Sequence, residues 1–259
     1  MAMITPETVS TILREVADEV VLPRFTRLAD EDIREKHPGD FVTVADTEAE
    51  FLLSQRLCAL LPGSVVVAEE ACAADHRTMR HLAGEAPVWV LDPIDGTGNY
   101  IKGNKRFAMI AALVVKGRTV QGWIHDPLSG RTAVAEYGAG SWCGGQRLAV
   151  SAQGGLGTLC GSVGPRFRGR LAEAVGSLMW QRSAAHDYLA LLDNILQFAY
   201  FHRLHPWDHA AGVLLHAEAG GYSALLSGTP YGPMPTREAL LLAPDRALWS
   251  QLQPLLDSF

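Results

Sequence analysis

The sequence is short of several things, and each shortage excludes something. Positive charge is scarce: 22 Lys and Arg face 28 Asp and Glu in 259 residues, for a formal net charge of −6. A nucleic-acid surface is ordinarily basic, so no nucleic-acid partner is expected. Long apolar runs are also missing. The longest, residues 107–115, is far below the roughly 20 residues a membrane span needs. The N-terminus has no basic head followed by an apolar stretch, so no secretory signal is expected. The four cysteines, Cys58, Cys72, Cys143 and Cys160, have neither CxxC nor zinc-ribbon spacing. They read as reduced, mostly buried thiols of a cytoplasmic protein. There are no repeats and no low-complexity segment.

The rest is an ordinary globular composition, 48% hydrophobic and 19% charged. Thr5 and Pro6 start a helix carrying Val9, Ile12, Leu13, Val16 and Val20, which Pro23 ends or kinks. Residues 36–40 read as a polar loop. Asp46 is placed to cap a second helix that stops at Pro62-Gly63. Residues 64–68 and 88–91 are strand-like, and 107–115, 119–125 and 132–136 form a meander. Residues 138–145 read as a glycine-rich loop. In the second half, helical periodicity covers 166–180, 184–196 and 207–219, and strands cover 198–201, 222–226 and 240–243. A last helix starts near Asp245. The small residues Ala210, Ala211 and Gly212 predict close packing. The change of character near residue 150 divides the chain into halves, 1–150 and 151–259.

Four acids stand where strands end or helices start: Glu69, Asp92, Asp95 and Asp208. Each taken singly is an ordinary cap or turn former. Converging on one cleft they would raise one another's pKa, and a hard divalent cation would relieve that. Oxygen-only ligands suit Mg2+ or Mn2+. Gly96-Thr97-Gly98 adds a turn where backbone N–H groups can meet an anion. Carboxylate-held metals beside such a turn describe a phosphate-ester site.

Four segments carry a resemblance. Asp92-Pro93-Ile94-Asp95-Gly96-Thr97-Gly98-Asn99-Tyr100 resembles the DPIDGTxNF motif of the inositol monophosphatase family. Trp207 to Gly212, with Glu218-Ala219-Gly220-Gly221, resembles its WDxAAG…EAGG. Residues 40–46 with Glu50 resemble its DxVTxAD…E, and Glu69-Glu70 its GEE. The order holds along nearly the whole chain. The resemblance implies a layered αβαβα sandwich and hydrolysis of a small-molecule phosphate monoester by two or three Mg2+ ions. Glu69, Asp92 and the Ile94 carbonyl would hold the first metal. Asp92, Asp95 and Asp208 would hold the second, and a weaker third would lie near Glu69. Gly96 and Thr97 would bind phosphate through backbone N–H groups. Thr97 and Glu69 would orient the attacking water, with Asp46 hydrogen-bonded to Thr97. The N-terminal half would carry this site, and the C-terminal half would supply Asp208 and the substrate wall. A homodimer is implied too.

Three positions depart from the pattern. Ala68 replaces the Gly before the paired acids, and Gly98 replaces a second Thr. The third lies in the wall that would meet the alcohol, expected at Ser183, Ala184, Asp95 and Asp208. There Phe201 falls on the position of the family's inositol-contacting Glu. Phe cannot accept hydrogen bonds from ring hydroxyls. Histidinol phosphate, a sugar phosphate and a 3′-phosphonucleotide therefore compete with inositol phosphate, with fructose bisphosphate a weaker candidate. A family member kept as a regulatory binding protein, partnering the transcription machinery, is the alternative of another class. His186, His202, His205 and His209 are expected to line a pocket or face solvent rather than bind zinc. Arg203 or these histidines are candidates to read an anionic substrate tail. Lys102, Lys105 and Arg106 are candidates to steer anions.

Overall fold

The computed structural model describes residues 4–256. Helix α1, Pro6–Val16, starts as expected: the Thr5 side chain accepts from the Thr8 N–H, and Pro6 sits where no N–H is needed. A π-helical turn, Ala17–Val21, continues it to Pro23. Residues 36–40 are not simply a loop. Strands β1 (Ile33–His37) and β2 (Asp40–Thr43) form a hairpin turned at Gly39, whose φ is +81°. Helix α2, Val44–Leu60, is capped by Thr43 rather than Asp46. Asp46 is the third helical residue and returns a bond to the Thr43 N–H, closing a capping box.

The first sheet follows in seven strands: β3 (Val65–Ala68), β4 (Val88–Asp95), β5 (Ala108–Val115), β6 (Arg118–Asp126), β7 (Arg131–Glu136), β8 (Gly140–Cys143) and β9 (Gln146–Arg147). β3 and β4 are parallel, and every later pair is antiparallel. Part of the glycine-rich stretch is thus strand, because β8 pairs with β7. Short helices α3 (Glu69–Ala74) and α4 (Thr97–Ile101) begin directly at the ends of β3 and β4. The second sheet has five strands in the order β11-β10-β12-β14-β13. These are β10 (Cys160–Val163), β11 (Ser177–Met179), β12 (Phe198–Phe201), β13 (Tyr222–Leu225) and β14 (Leu240–Ala243). Helices α5 (Ala184–Leu192), α6 (Pro206–Glu218) and α7 (Arg246–Leu252) complete the fold.

The helix expected over 166–180 does not form. A 3-10 turn at Pro165–Phe167, a short helix at Leu171–Ala174 and strand β11 take its place. Gly169 and Gly176 interrupt the segment, and pairing with β10 outweighs its weak helical period. Helix α5 stops at Leu192, short of 196, where Asn194 turns left-handed at φ 58°.

Alternation along the strands sorts the core into layers. Trp89, Leu91, Met109, Ala111 and Trp123 face α1 and α2. Val88, Val90, Ala108, Ile110 and Ala112 face the other way, onto α5 and α6. Ala199, Leu240 and Leu242 of the second sheet close that same layer. Phe198, Tyr200, Leu241 and Ala243 pack outward on Leu171, Trp249 and Leu252. The result is an αβαβα sandwich. The small residues of α6 bring its layer in close. A Cβ on Gly212 would lie 2.2 Å from the Tyr188 ring, and one on Gly122 of β6 would lie 2.9 Å from Ala211 Cα. The four cysteines are free thiols, but only Cys72 is buried. Among the described residues no helix is long and apolar enough to cross a membrane.

Candidate active site

Strands β3 and β4 run parallel and side by side, so Glu69 and Asp92 emerge at the same sheet edge. The register of β4 against β5 shifts between Asp92 and Asp95, across Pro93. Pro93 offers no N–H to the ladder. Asp92, Asp95 and Asp208 come together: one oxygen from each lies within 4.8 Å of the other two. Asp208 reaches them from the first turn of α6. It is the third helical residue, not the cap expected from sequence; His205 holds that place and Pro206 follows it.

Burial raises the pKa of Asp92 well above the ordinary carboxylate value, and Glu69, Asp95 and Asp208 add repulsion. Asp208 is raised the same way, by burial first and then by Asp95 and Glu69. Asp95 is also raised by burial, but hydrogen bonds to its charged form oppose this. Ser183 Oγ and the Ala185 N–H donate to its Oδ2, and the Ala184 N–H donates to Oδ1. The start of α5 therefore aims Asp95 at the cluster. Oxygen donors alone, crowded and short of positive charge, are what a hard divalent cation fits.

Glu69 stands apart from that trio. Lys36 Nζ donates to its Oε1 at 2.7 Å and to Glu70 Oε1 at 2.8 Å, with Asp40 at 3.6 Å. Burial raises Glu69 to about 7 even against the opposing pull of Lys36. Burial lowers the Lys36 pKa, but Glu69 and Glu70 outweigh it and hold the ammonium above its ordinary value. Lys36 was not read from sequence as a site residue. Its nearness depends on a 33-residue separation closed by the β1–β2 hairpin. Glu50 has a supporting part: its carboxylate accepts the Glu70 and Ala71 N–H groups, both at 2.8 Å, at the start of α3.

The turn after β4 is built around Gly96, at φ +90°. A Cβ there would meet the Arg106 carbonyl oxygen at 2.8 Å, so only glycine fits. Thr97 Oγ1 has Asp46 Oδ1 at 3.1 Å and the Ile94 carbonyl oxygen at 3.0 Å as acceptors. Burial raises Asp46 to about 6, against bonds from Thr43. Asn99 Nδ2 donates to the carbonyls of Arg106 and Gln181, which fastens the 181–183 segment beside the turn.

A cavity of about 500 Å3 opens from Asp95 and Asp208. Ser183, Ala184 and Phe201 line it. Phe201 stacks on Tyr188 and touches the His209 ring, with centroids 5.4 and 4.7 Å away. Sequence reasoning missed Asp187 in this wall. It is buried, accepts from Gln181 Nε2 at 3.0 Å, and is raised by burial to about 7. His209 is neutral in place: burial lowers it to about 3, and its ring nitrogens meet the Tyr188 hydroxyl and the Arg203 carbonyl oxygen. His202 also lines the cavity, His186 bonds the Phe107 carbonyl oxygen, and His205 stacks on Trp207. Among the described residues the one cluster suited to a metal contains no histidine. Lys102, Lys105 and Arg106 are exposed and lie outside the cavity lining.

Comparison with known proteins identifies the family. The model of the inositol monophosphatase family matches residues 6–256. A fructose-1,6-bisphosphatase/inositol-1-monophosphatase of Thermotoga maritima is 30% identical over 202 residues, 75% of each chain. An inositol-1-monophosphatase of Mycobacterium leprae is 34% identical over 198 residues, 71% of this chain and 67% of that one. The Nus factor SuhB of Vibrio cholerae is 29% identical over 210 residues, 76% of each. The solved Thermotoga maritima IMPase superposes with a TM-score of 0.82 at 24% identity, covering 96% of this chain and 95% of the other, a likeness of fold. The chain belongs to the inositol monophosphatase family.

Proposed function

We propose that this protein hydrolyses the phosphate monoester of a small polar metabolite, using Mg2+, with Mn2+ as a substitute. The observation that carries the reading is the Asp92–Asp95–Asp208 cluster, with its oxygens within 4.8 Å, directly before the Gly96-Thr97 turn. Glu69, Asp92 and the Ile94 carbonyl would hold one ion, and Asp92, Asp95 and Asp208 a second. A third would need Glu69 to exchange Lys36 for it. Bound there, divalent ions supply Lewis-acid stabilisation of phosphoryl charge and make water a nucleophile near neutral pH.

The chain's own groups do the rest. Backbone N–H groups of Gly96 and Thr97 hold phosphate oxygens. Thr97 Oγ1 donates to Asp46 and so presents a lone pair to the attacking water; Glu69 holds that water from the other side. Asp46, at about 6, is ionised at neutral pH and draws the proton of Thr97 Oγ1 toward Oδ1. Ser183 keeps Asp95 aimed, and Ala184, Phe201 and Asp208 face the leaving alcohol. In this reading residues 1–150 carry the phosphate chemistry, and 151–259 supply Asp208 and the wall. Family membership also supports a cytoplasmic homodimer, which light scattering of the purified protein tests.

The deciding assay is phosphate release from p-nitrophenyl phosphate and a metabolite-phosphate panel, with Mg2+ or with EDTA. Release that requires the metal and falls at least about 100-fold in Asp95→Asn is expected. No release from folded protein would refute the reading. Relatives named Nus factor SuhB support a second reading, as a regulatory binding protein. The intact carboxylate cluster favours catalysis.

A further inference from the structure

Asp95 and Asn99 belong to the same turn, four residues apart, and both side chains grip one distant segment. Asp95 accepts from its later part: Ser183 Oγ and the Ala184 and Ala185 N–H groups. Asn99 Nδ2 donates to its earlier part, the Gln181 carbonyl oxygen at 2.9 Å and the Arg182 carbonyl oxygen at 3.3 Å. The Arg106 carbonyl oxygen, at 2.7 Å, is a third acceptor. An acceptor and a donor on one turn thus hold the two sides of a single chain reversal. The reversal falls between them, at Arg182, whose φ is 59°.

That left-handed conformation suits glycine and strains a residue with a Cβ. Unrestrained, Arg182 would relax to negative φ and swing Ser183 and the two N–H groups that follow it. The Asn99 amide is placed to prevent this. It is buried, and partners on both sides fix its orientation. Asn104 Nδ2 donates to its Oδ1 at 3.2 Å, while its Nδ2 meets the three carbonyl oxygens. The segment also lies close on the turn. A Cβ on Gly96, between Asp95 and Asn99, would come 3.2 Å from Ser183 Cβ and 3.5 Å from the Arg182 carbonyl oxygen.

We propose that Asn99 is a positioning residue for Asp95. By holding the carbonyls of Gln181 and Arg182 it keeps Arg182 left-handed, and so keeps the Ser183, Ala184 and Ala185 donors on the Asp95 carboxylate. The consequence for divalent-ion binding rests on the metal reading of the Asp92–Asp95–Asp208 cluster. The alignment of Asp95 does not, because the bonds that make it need no ion.

Hydrogen exchange in EDTA reads that alignment at the Ala184 and Ala185 amides. Asn99→Ala should speed exchange there about tenfold or more beyond any change in global opening, which the thermal melt gives. Calorimetric titration should show Mn2+ affinity weakened by about tenfold, the scale of losing a group that orients a metal ligand. Adding Arg182→Gly to Asn99→Ala should recover both, because glycine rests at this φ unaided. Unchanged exchange at Ala184 and Ala185, or a loss no greater there than throughout the chain, overturns the proposal. Altered exchange with unchanged Mn2+ affinity overturns the link to the metal, and absence of recovery overturns the step through Arg182. If Asn99→Ala does not fold, Asn104→Ala removes the bond that orients the amide. The same local loss, smaller in size, is then expected, and full protection at Ala184 and Ala185 overturns the proposal. If the wild type binds no Mn2+, the metal reading fails and exchange alone decides the positioning. If Mn2+ binds but no ester is cleaved, the phosphatase reading fails, and exchange and affinity still decide it.

Discussion

Removing the divalent ion should make this protein's stability run the opposite way with pH. Asp187 moves from 3.8 to about 7 on folding, Glu69 from 4.5 to about 7 and Asp46 from 3.8 to about 6, all by burial, and burial also raises Asp92 and Asp208 well above the ordinary carboxylate value. In the unfolded chain these groups ionise near their ordinary values. From about pH 4 to 7 the folded protein therefore holds protons that the unfolded chain has lost, so stability falls as pH rises across that window. Asp187 alone amounts to about 4 kcal/mol once it is ionised in both states. Relaxation and water entry reduce the sum over groups, so a total near that single figure is the working expectation.

With Mg2+ present, Glu69, Asp92, Asp95 and Asp208 would have to be ionised to bind it, and the ion's contribution would grow over the same window. At a concentration 100 times Kd it adds about 2.7 kcal/mol, which is about 5–10 °C in a chain of this size. The assay is thermal melting from about pH 5.5 to 7.5, with EDTA and with Mg2+ in parallel. The metal-free midpoint should fall, and the Mg2+ increment should widen. A metal-free midpoint that rises across the range, or an increment that is constant, would refute the placement of buried, mutually repelling acids at a metal site.

Thr97→Val keeps the shape but removes the hydroxyl that reaches Asp46 and Ile94. Phosphate release should fall about 100-fold while the melt moves by only about 1–2 kcal/mol; near-normal turnover would remove Thr97 from the water-orienting role. Lys36→Gln takes away the ammonium that touches both Glu69 and Glu70. The Mg2+ concentration giving half-maximal activity should drop severalfold, and a rise would mean that the ammonium supports metal binding rather than competing with it. Gly212→Ala drives a methyl into the Tyr188 ring, and chemical denaturation should show a loss of about 1–3 kcal/mol. An unchanged midpoint there would mean that α5 and α6 are less closely packed.

The sequence by itself brought together the strand end and glycine turn beside the cavity. Asp92, Asp95, Gly96 and Thr97 lie within a few residues of one another, so strand end, proline and glycine turn place them together by local geometry alone. Strands β4 and β5 are buried on both faces, so their period of two separates two sets of side chains, while the partners alone decide which layer each set meets. Local signals failed where they were weak. Residues 166–180 have a helical period, yet glycines break it and pairing with β10 decides the outcome. Thr43 and Asp46 are equally good capping residues on paper, and only the backbone path assigns the cap. Contacts across large separations belonged to the tertiary structure. Lys36 meets Glu69 because a hairpin folds over the sheet edge, Asn99 holds the Gln181 carbonyl, and Asp208 joins Asp92 and Asp95. Such pairs are set by the packing of two sheets against shared helices, which no stretch of sequence encodes alone. The family motif is therefore written in adjacent residues, while the shape and charge of the cavity arise only when distant segments close on one another.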